Sequence, residues 1–210
     1  MMNQAKARIP TPLIALVIVL STLGCGSVLA RTISTVELEP MRFEHPGAPI
    51  DGTIELCLSP KLRMRQWNIA NHPYKIALGS RTALNVEILA KSAFREVIVS
   101  FDGACGTATH HPWLSATILA ANRDWDSLLS AEQNTTITME FELADDDAHP
   151  IWSATTRGNI SSPSSLPTRR RTRAAQDFGE AIALALQRAF KELVESEEVR
   201  SAFKEAPEAS

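Results

Sequence analysis

"TTITMEFEL", residues 135–143, decides the fold. Ile137, Met139, Phe141 and Leu143 alternate with Thr136, Thr138, Glu140 and Glu142. Successive side chains of a strand point to opposite faces, so this period of two gathers the apolar residues on one side. One dry face and one wet face is the pattern of an antiparallel sheet. "ADDDAHP", 144–150, follows as a turn, and "IWSATTRGNI", 151–160, returns as the partner strand.

Upstream, "WLSATILAA", 113–121, reads as another strand. "DGTIELCLSP", 51–60, opens at an Asp51-Gly52 turn and sets Ile54, Leu56 and Leu58 against Glu55 and Cys57. "KLRMRQW", 61–67, alternates too, as an extension of that strand or an edge, and "NIANHPYKIALG", 68–79, reads as a loop. Ser80 is expected to cap a helix over residues 81–94. Its inward stripe is predicted at Leu84, Ile88, Ala90 or Lys91, and Phe94. "EVIVSF", 96–101, is a short buried strand.

Downstream, "SSPSSLPTRRRTR", 161–173, is a polar linker with a basic end. One long helix is expected over Ala174–Phe203, with Phe178, Ile182, Ala185, Ala189 and Leu193 on one face. The order β-α-β-β-β-α predicts an α+β domain. It is a mostly antiparallel sheet with two helices packed on one face. The strand-helix-strand unit should be a right-handed crossover with parallel strands.

The N-terminus carries a different kind of signal. Lys6 and Arg8 precede the apolar run "PLIALVIVL", 12–20, which is too short to span a bilayer and is followed by small residues. That is the layout of an export signal. Two cuts compete within "LSTLGCGSVLA", 20–30. One precedes Cys25; the other follows Ala30, after the peptidase-like Val28-Leu29-Ala30.

Thr22-Leu23-Gly24-Cys25 resembles the lipobox of bacterial envelope lipoproteins. The resemblance implies acylation of Cys25, membrane attachment through that lipid and, with Gly26 rather than aspartate next, an outer-membrane destination facing the periplasm. The expected organisation is a signal peptide at 1–24, a lipid-anchored tether at 25–50, one α+β domain at 51–203 and a disordered tail at 204–210. Removing residues 1–24 takes two basic residues and no acid, which moves the formal charge from −3 to −5. That balance argues against nucleic acid as a partner.

There are three cysteines, Cys25, Cys57 and Cys105. In an exported protein an odd cysteine needs explaining. Lipidating Cys25, or cleaving it away, leaves one possible pair, a Cys57–Cys105 disulfide. If strands 51–60 and 96–101 are neighbours, both cysteines fall at the same end of the sheet.

No phosphate loop, Gly-x-Ser-x-Gly elbow or His-Glu-x-x-His occurs. The expectation is a protein that is not an enzyme, needs no cofactor and works through contacts with an envelope protein. The lipoprotein analogy places it as an accessory part of a transport or secretion machine. A soluble periplasmic protein cut after Ala30 is the alternative. It would bind a metal or small ligand at loops carrying His72, His111 and His149, which like His45 precede proline. Asp145, Asp146 and Asp147 read as a solvated turn, lacking the glycine and glutamate of a calcium loop. Lys61, Arg63 and Arg65, with Arg169, Arg170, Arg171 and Arg173, are basic clusters suited to solvation, anionic head groups or an acidic partner.

Overall fold

The structure, a computed structural model, describes residues 34–37, 47–68, 74–101, 105, 110–124, 132–163 and 170–204. The chain divides into Met1–Ser34, of which only Ser34 is described, and a compact unit Thr35–Ser210. His45, His72, Arg169 and Cys25 lie outside the described residues. No described helix is long and apolar enough to cross a membrane.

The elements are β1 (Ser34–Glu37), β2 (Ile50–Cys57), α1 (Pro60–Arg63), β3 (Gln66–Asn68), β4 (Tyr74–Ala77), α2 (Gly79–Ala93), β5 (Phe94–Ser100), β6 (Trp113–Arg123), β7 (Glu132–Ala144), β8 (Pro150–Pro163), α3 (Arg170–Glu195) and α4 (Glu197–Lys204). The main sheet has the order β5-β2-β6-β7-β8, and a small one has the order β1-β4-β3. The main sheet is mixed. β5, β2 and β6 are parallel, while the longer ladders β6–β7 and β7–β8 are antiparallel. The domain is therefore α+β, as the order of its elements predicts.

That pattern holds residue by residue. Ile137, Met139, Phe141 and Leu143 are buried, and Glu140 and Glu142 are exposed. Leu114, Ala116 and Ile118 of β6 face the same side, opposite Leu143, Phe141 and Met139. Over them lies α3, whose inward stripe is the expected one: Phe178, Ile182, Ala185, Ala189 and Leu193 are all buried. Small residues let this helix come close. A Cβ on Gly158 of β8 would stand 1.7 Å from the Ala181 carbonyl oxygen, so only glycine fits there. Phe141 meets Phe190 edge-on at 6.1 Å between ring centres.

Several local expectations differ from the structure. "KLRMRQW" neither extends β2 nor forms its edge. Ser59 accepts a hydrogen bond from the Leu62 N–H and caps α1, with Pro60 in its first turn. β4 occupies part of the expected loop and pairs with β3. Asp51-Gly52 lies within β2, where the ladder to β5 is irregular, and Gly52 leaves room for the Phe203 ring. Ser80 is inside α2, not its cap. The helix begins at Gly79, and the Leu78 and Gly79 N–H groups both donate to the Arg65 carbonyl.

The inward face of α2 is also different. Thr82, Val86, Leu89, Ala90 and Ala93 are buried, and Phe94 is buried as the first residue of β5. Leu84 and Ile88 are 43% and 50% exposed. Thr82 and Asn85 can be buried because each side chain donates to a carbonyl four residues earlier, at Leu78 and Arg81. Ser196 breaks the last helix in two. It accepts from the Val199 N–H, and Arg200 Nε donates to the Val194 carbonyl at the end of α3.

Candidate functional site

The first candidate is the crossing between β5 and β6. Both strands flank β2 and run parallel to it, so the connection from Phe101 to Pro112 must carry the chain past β2. Cys57 of β2 stands opposite Ser100 on one side and Ser115 on the other. Cys105, within that connection, is disulfide-bonded to it with a Cα–Cα separation of 5.7 Å. This separation is ordinary for a disulfide. Glu55 and Cys57 face away from the helices, yet both are buried, at 1% and 2% exposure. β2 is thus covered on both faces, whereas alternation alone reads its second face as wet.

Two of the histidine loops are described. Trp113 pairs with Ala144, which pairs with Pro150, so His111 and His149 lie at the same end of the sheet. β7 runs between their strands, which places the strands about 10 Å apart. His149 is bound into its own turn. Its N–H donates to Asp145 Oδ1 at 2.7 Å, and its Nδ1 lies 3.2 Å from Oδ2. The backbone bond, helped by the imidazole, holds the Asp145 carboxyl below the ordinary value of 3.8. Ala148, at φ 64°, closes the turn in the left-handed region. Among the described residues no three His, Cys, Asp or Glu side chains converge as metal ligands.

A second constellation is absent from the sequence reading. Arg123 Nη1 donates to Asp177 Oδ2 at 2.6 Å and to Thr135 Oγ1 at 2.5 Å; Nη2 donates to Gln133 Oε1 at 2.7 Å. Ser162 Oγ also donates to Asp177 Oδ2, at 2.6 Å. Arg173 Nε approaches Oδ1 at 3.0 Å. The Arg123 and Asp177 side chains are fully buried. This network ties β6, β7, β8 and α3 together. Its central Arg123–Asp177 pair is closed to solvent, so it positions elements rather than receiving a substrate. One sequence signal could have found it: Asp177 stands beside Phe178 among the inward residues of α3. Arg123 escaped because β6 runs two residues beyond the expected end at Ala121, and because a bulge between Ile118 and Ala120 reverses the alternation and turns Arg123 to the core side, opposite Thr135.

Outside, a groove runs between the start of β8 and the α3–α4 junction. Ile151 and Trp152 line it with Glu192, Glu195, Glu197 and Glu198. An acidic wall over apolar residues suits a basic, partly apolar protein segment. β8 is an edge strand, and one of its carbonyls, that of Arg157, is capped by Arg188 Nη1 at 2.6 Å.

No family model matches the chain, and no curated protein is similar to it in sequence. Its fold is shared with the crystal structure of a Xanthomonas campestris protein of family DUF330. The TM-score is 0.54 at 12% identity, over 77% of this chain and 95% of that one. A putative lipoprotein from Caulobacter crescentus gives 0.41 at 9% identity, over 66% and 87% of the two chains. A minor lipoprotein from Acinetobacter baumannii gives 0.42 at 11%, over 68% and 92%.

Proposed function

We propose that this protein is a non-enzymatic lipoprotein of the bacterial envelope, anchored through acyl chains on Cys25. It faces the periplasm, with the outer membrane as destination, and acts by contact with other envelope proteins as an accessory part of a transport or secretion machine. The observation that carries the anchor is the cysteine pattern. Cys57 and Cys105 are bonded to each other, which leaves Cys25, behind an export signal and directly after Gly24, as the odd one. Acylation gives that thiol a chemical fate. The acidic groove beside Trp152 is the described surface best suited to a protein partner.

Radiolabelled palmitate tests the anchor. The wild-type protein should retain label that Cys25→Ser loses. An unlabelled protein beginning at Arg31 overturns it. Co-purification from detergent-solubilised envelopes tests the partner role: Glu195→Lys/Glu198→Lys should lose a protein that the wild type retains.

A further inference from the structure

Residues 56–86 carry five basic side chains, Lys61, Arg63, Arg65, Lys75 and Arg81, and no acidic one, in a chain of formal charge −3. Lys61, Arg63 and Arg65 are exposed on α1 and the corner after it. Met64 projects between two of them, 72% exposed. The Arg63 guanidinium lies 4.8 Å from the centre of the Phe101 ring, itself 47% exposed. Solvation alone accounts for the cations but not for two large apolar side chains held out among them. Cations interleaved with exposed apolar groups suit the boundary between head groups and acyl chains.

The position of this corner matters as much as its composition. Gln66, directly after Arg65, opens β3, which shares the small sheet with β4 and β1. β1 and β3 are two strand spacings apart, about 10 Å. Eight residues, 26–33, separate Cys25 from β1. Even fully extended, the chain from Cys25 to β1 spans roughly 30 Å. An anchor at Cys25 therefore leaves this side of the domain within reach of the bilayer.

A second basic run, from Arg170 to Arg173, opens α3, whose first turn holds no acid. Positive charge at a helix N-terminus opposes the helix dipole; Arg173 is held there by Asp177, 3.0 Å away. Phe178, five residues on from Arg173, packs against Trp67 of β3 with ring centres 4.7 Å apart. That contact brings this end of α3 to the small sheet.

We infer that the α1–β3 corner, formed by Lys61, Arg63, Met64 and Arg65 with Phe101 beside it, is a membrane-contact face. Its occupant is the anionic head-group surface of the bilayer that holds the Cys25 lipid. The inference rests on the anchor proposed above. It adds an orientation: the basic corner lies against the membrane.

The test uses the full mature protein, purified in detergent and added to preformed vesicles. One set is phosphatidylcholine alone; the other contains phosphatidylglycerol as well. Flotation reports the anchor. The rate of Met64 oxidation by peroxide, read by mass spectrometry, reports the face. Wild type should float with both sets. Its Met64 should be protected about tenfold or more on phosphatidylglycerol vesicles only, with high salt removing the protection. Each basic residue near an anionic surface contributes a factor of about five, so Arg63→Gln/Arg65→Gln should cut the docked-to-undocked ratio about 25-fold while still floating. If that variant melts lower than wild type, Lys61→Gln/Arg65→Gln replaces it.

Equal Met64 rates on the two vesicle sets, with flotation intact, overturn the face and leave the anchor standing. Failure to float with phosphatidylcholine overturns the anchor. In that case, flotation on phosphatidylglycerol alone, lost in the double variant, still supports the face, and flotation on neither overturns it.

Discussion

Arg123 and Asp177 are two charges removed from water, paired with each other and hydrogen-bonded to Thr135, Gln133 and Ser162, with Arg173 Nε 3.0 Å from Asp177 Oδ1. Removing one partner leaves the other charge buried, which typically costs about 3–5 kcal/mol. Asp177→Ala should lose that much in urea unfolding, and adding Arg123→Met should restore part of it. A single variant as stable as wild type would mean the pair does not join α3 to the sheet. The phase of β7 has its own test. Phe141→Asp should unfold the domain, because a charge in an apolar interior costs several kcal/mol. Glu140→Lys, one residue away on the exposed face, should stay within about 0.5 kcal/mol. Comparable melting shifts would refute the phase. At this scale the sequence was legible wherever alternation ran unbroken, as in β7. It was not legible at Arg123, since a bulge reverses a strand's faces without any mark in its composition.

Among the elements, β7, β8 and α3 were legible because long amphipathic segments carry a strong period. α2 was not. Leu84 and Ile88 outweigh Ala83, Ala90 and Ala93 in hydrophobicity, yet the small residues allow close approach and lie inside. Buried Thr82 and Asn85 bond to their own helix, a choice that periodicity does not record. The break at Ser196 was hidden for a similar reason: Ser-Glu-Glu fits a helix interior and a helix start alike. Of the candidate site, the cysteine pair could be named from count and strand order. The burial of Glu55 could not, because alternation alone reads that face of β2 as wet. The bond closes a loop of sequence separation 48. Chain-entropy reasoning gives about 4 kcal/mol for such a loop. Cys57→Ser and Cys105→Ser should therefore melt alike and well below wild type, and the double variant should be no worse than either. Thermal melts of the three variants decide it, and unequal single variants would assign one cysteine a role outside the bond.

For the whole molecule, the proposed anchor and the proposed membrane face would act together with the disulfide. Two cysteines fasten the β5–β6 crossing to β2, and the third would hold the domain by its first strand within roughly 30 Å of a bilayer. This scale was the least legible in the residues of the domain itself, since no catalytic motif or closed ligand set marks it. The fold is shared with the DUF330 structure at an identity too low to carry function. Anchor and clasp both come down to covalent chemistry at Cys25, Cys57 and Cys105. Mass spectrometry of the unreduced mature protein, taken from envelopes, tests it most directly. The expected products are an acylated N-terminal peptide beginning at Cys25 and a peptide pair joined through Cys57 and Cys105. An N-terminus at Arg31, or free thiols at Cys57 and Cys105, would contradict it.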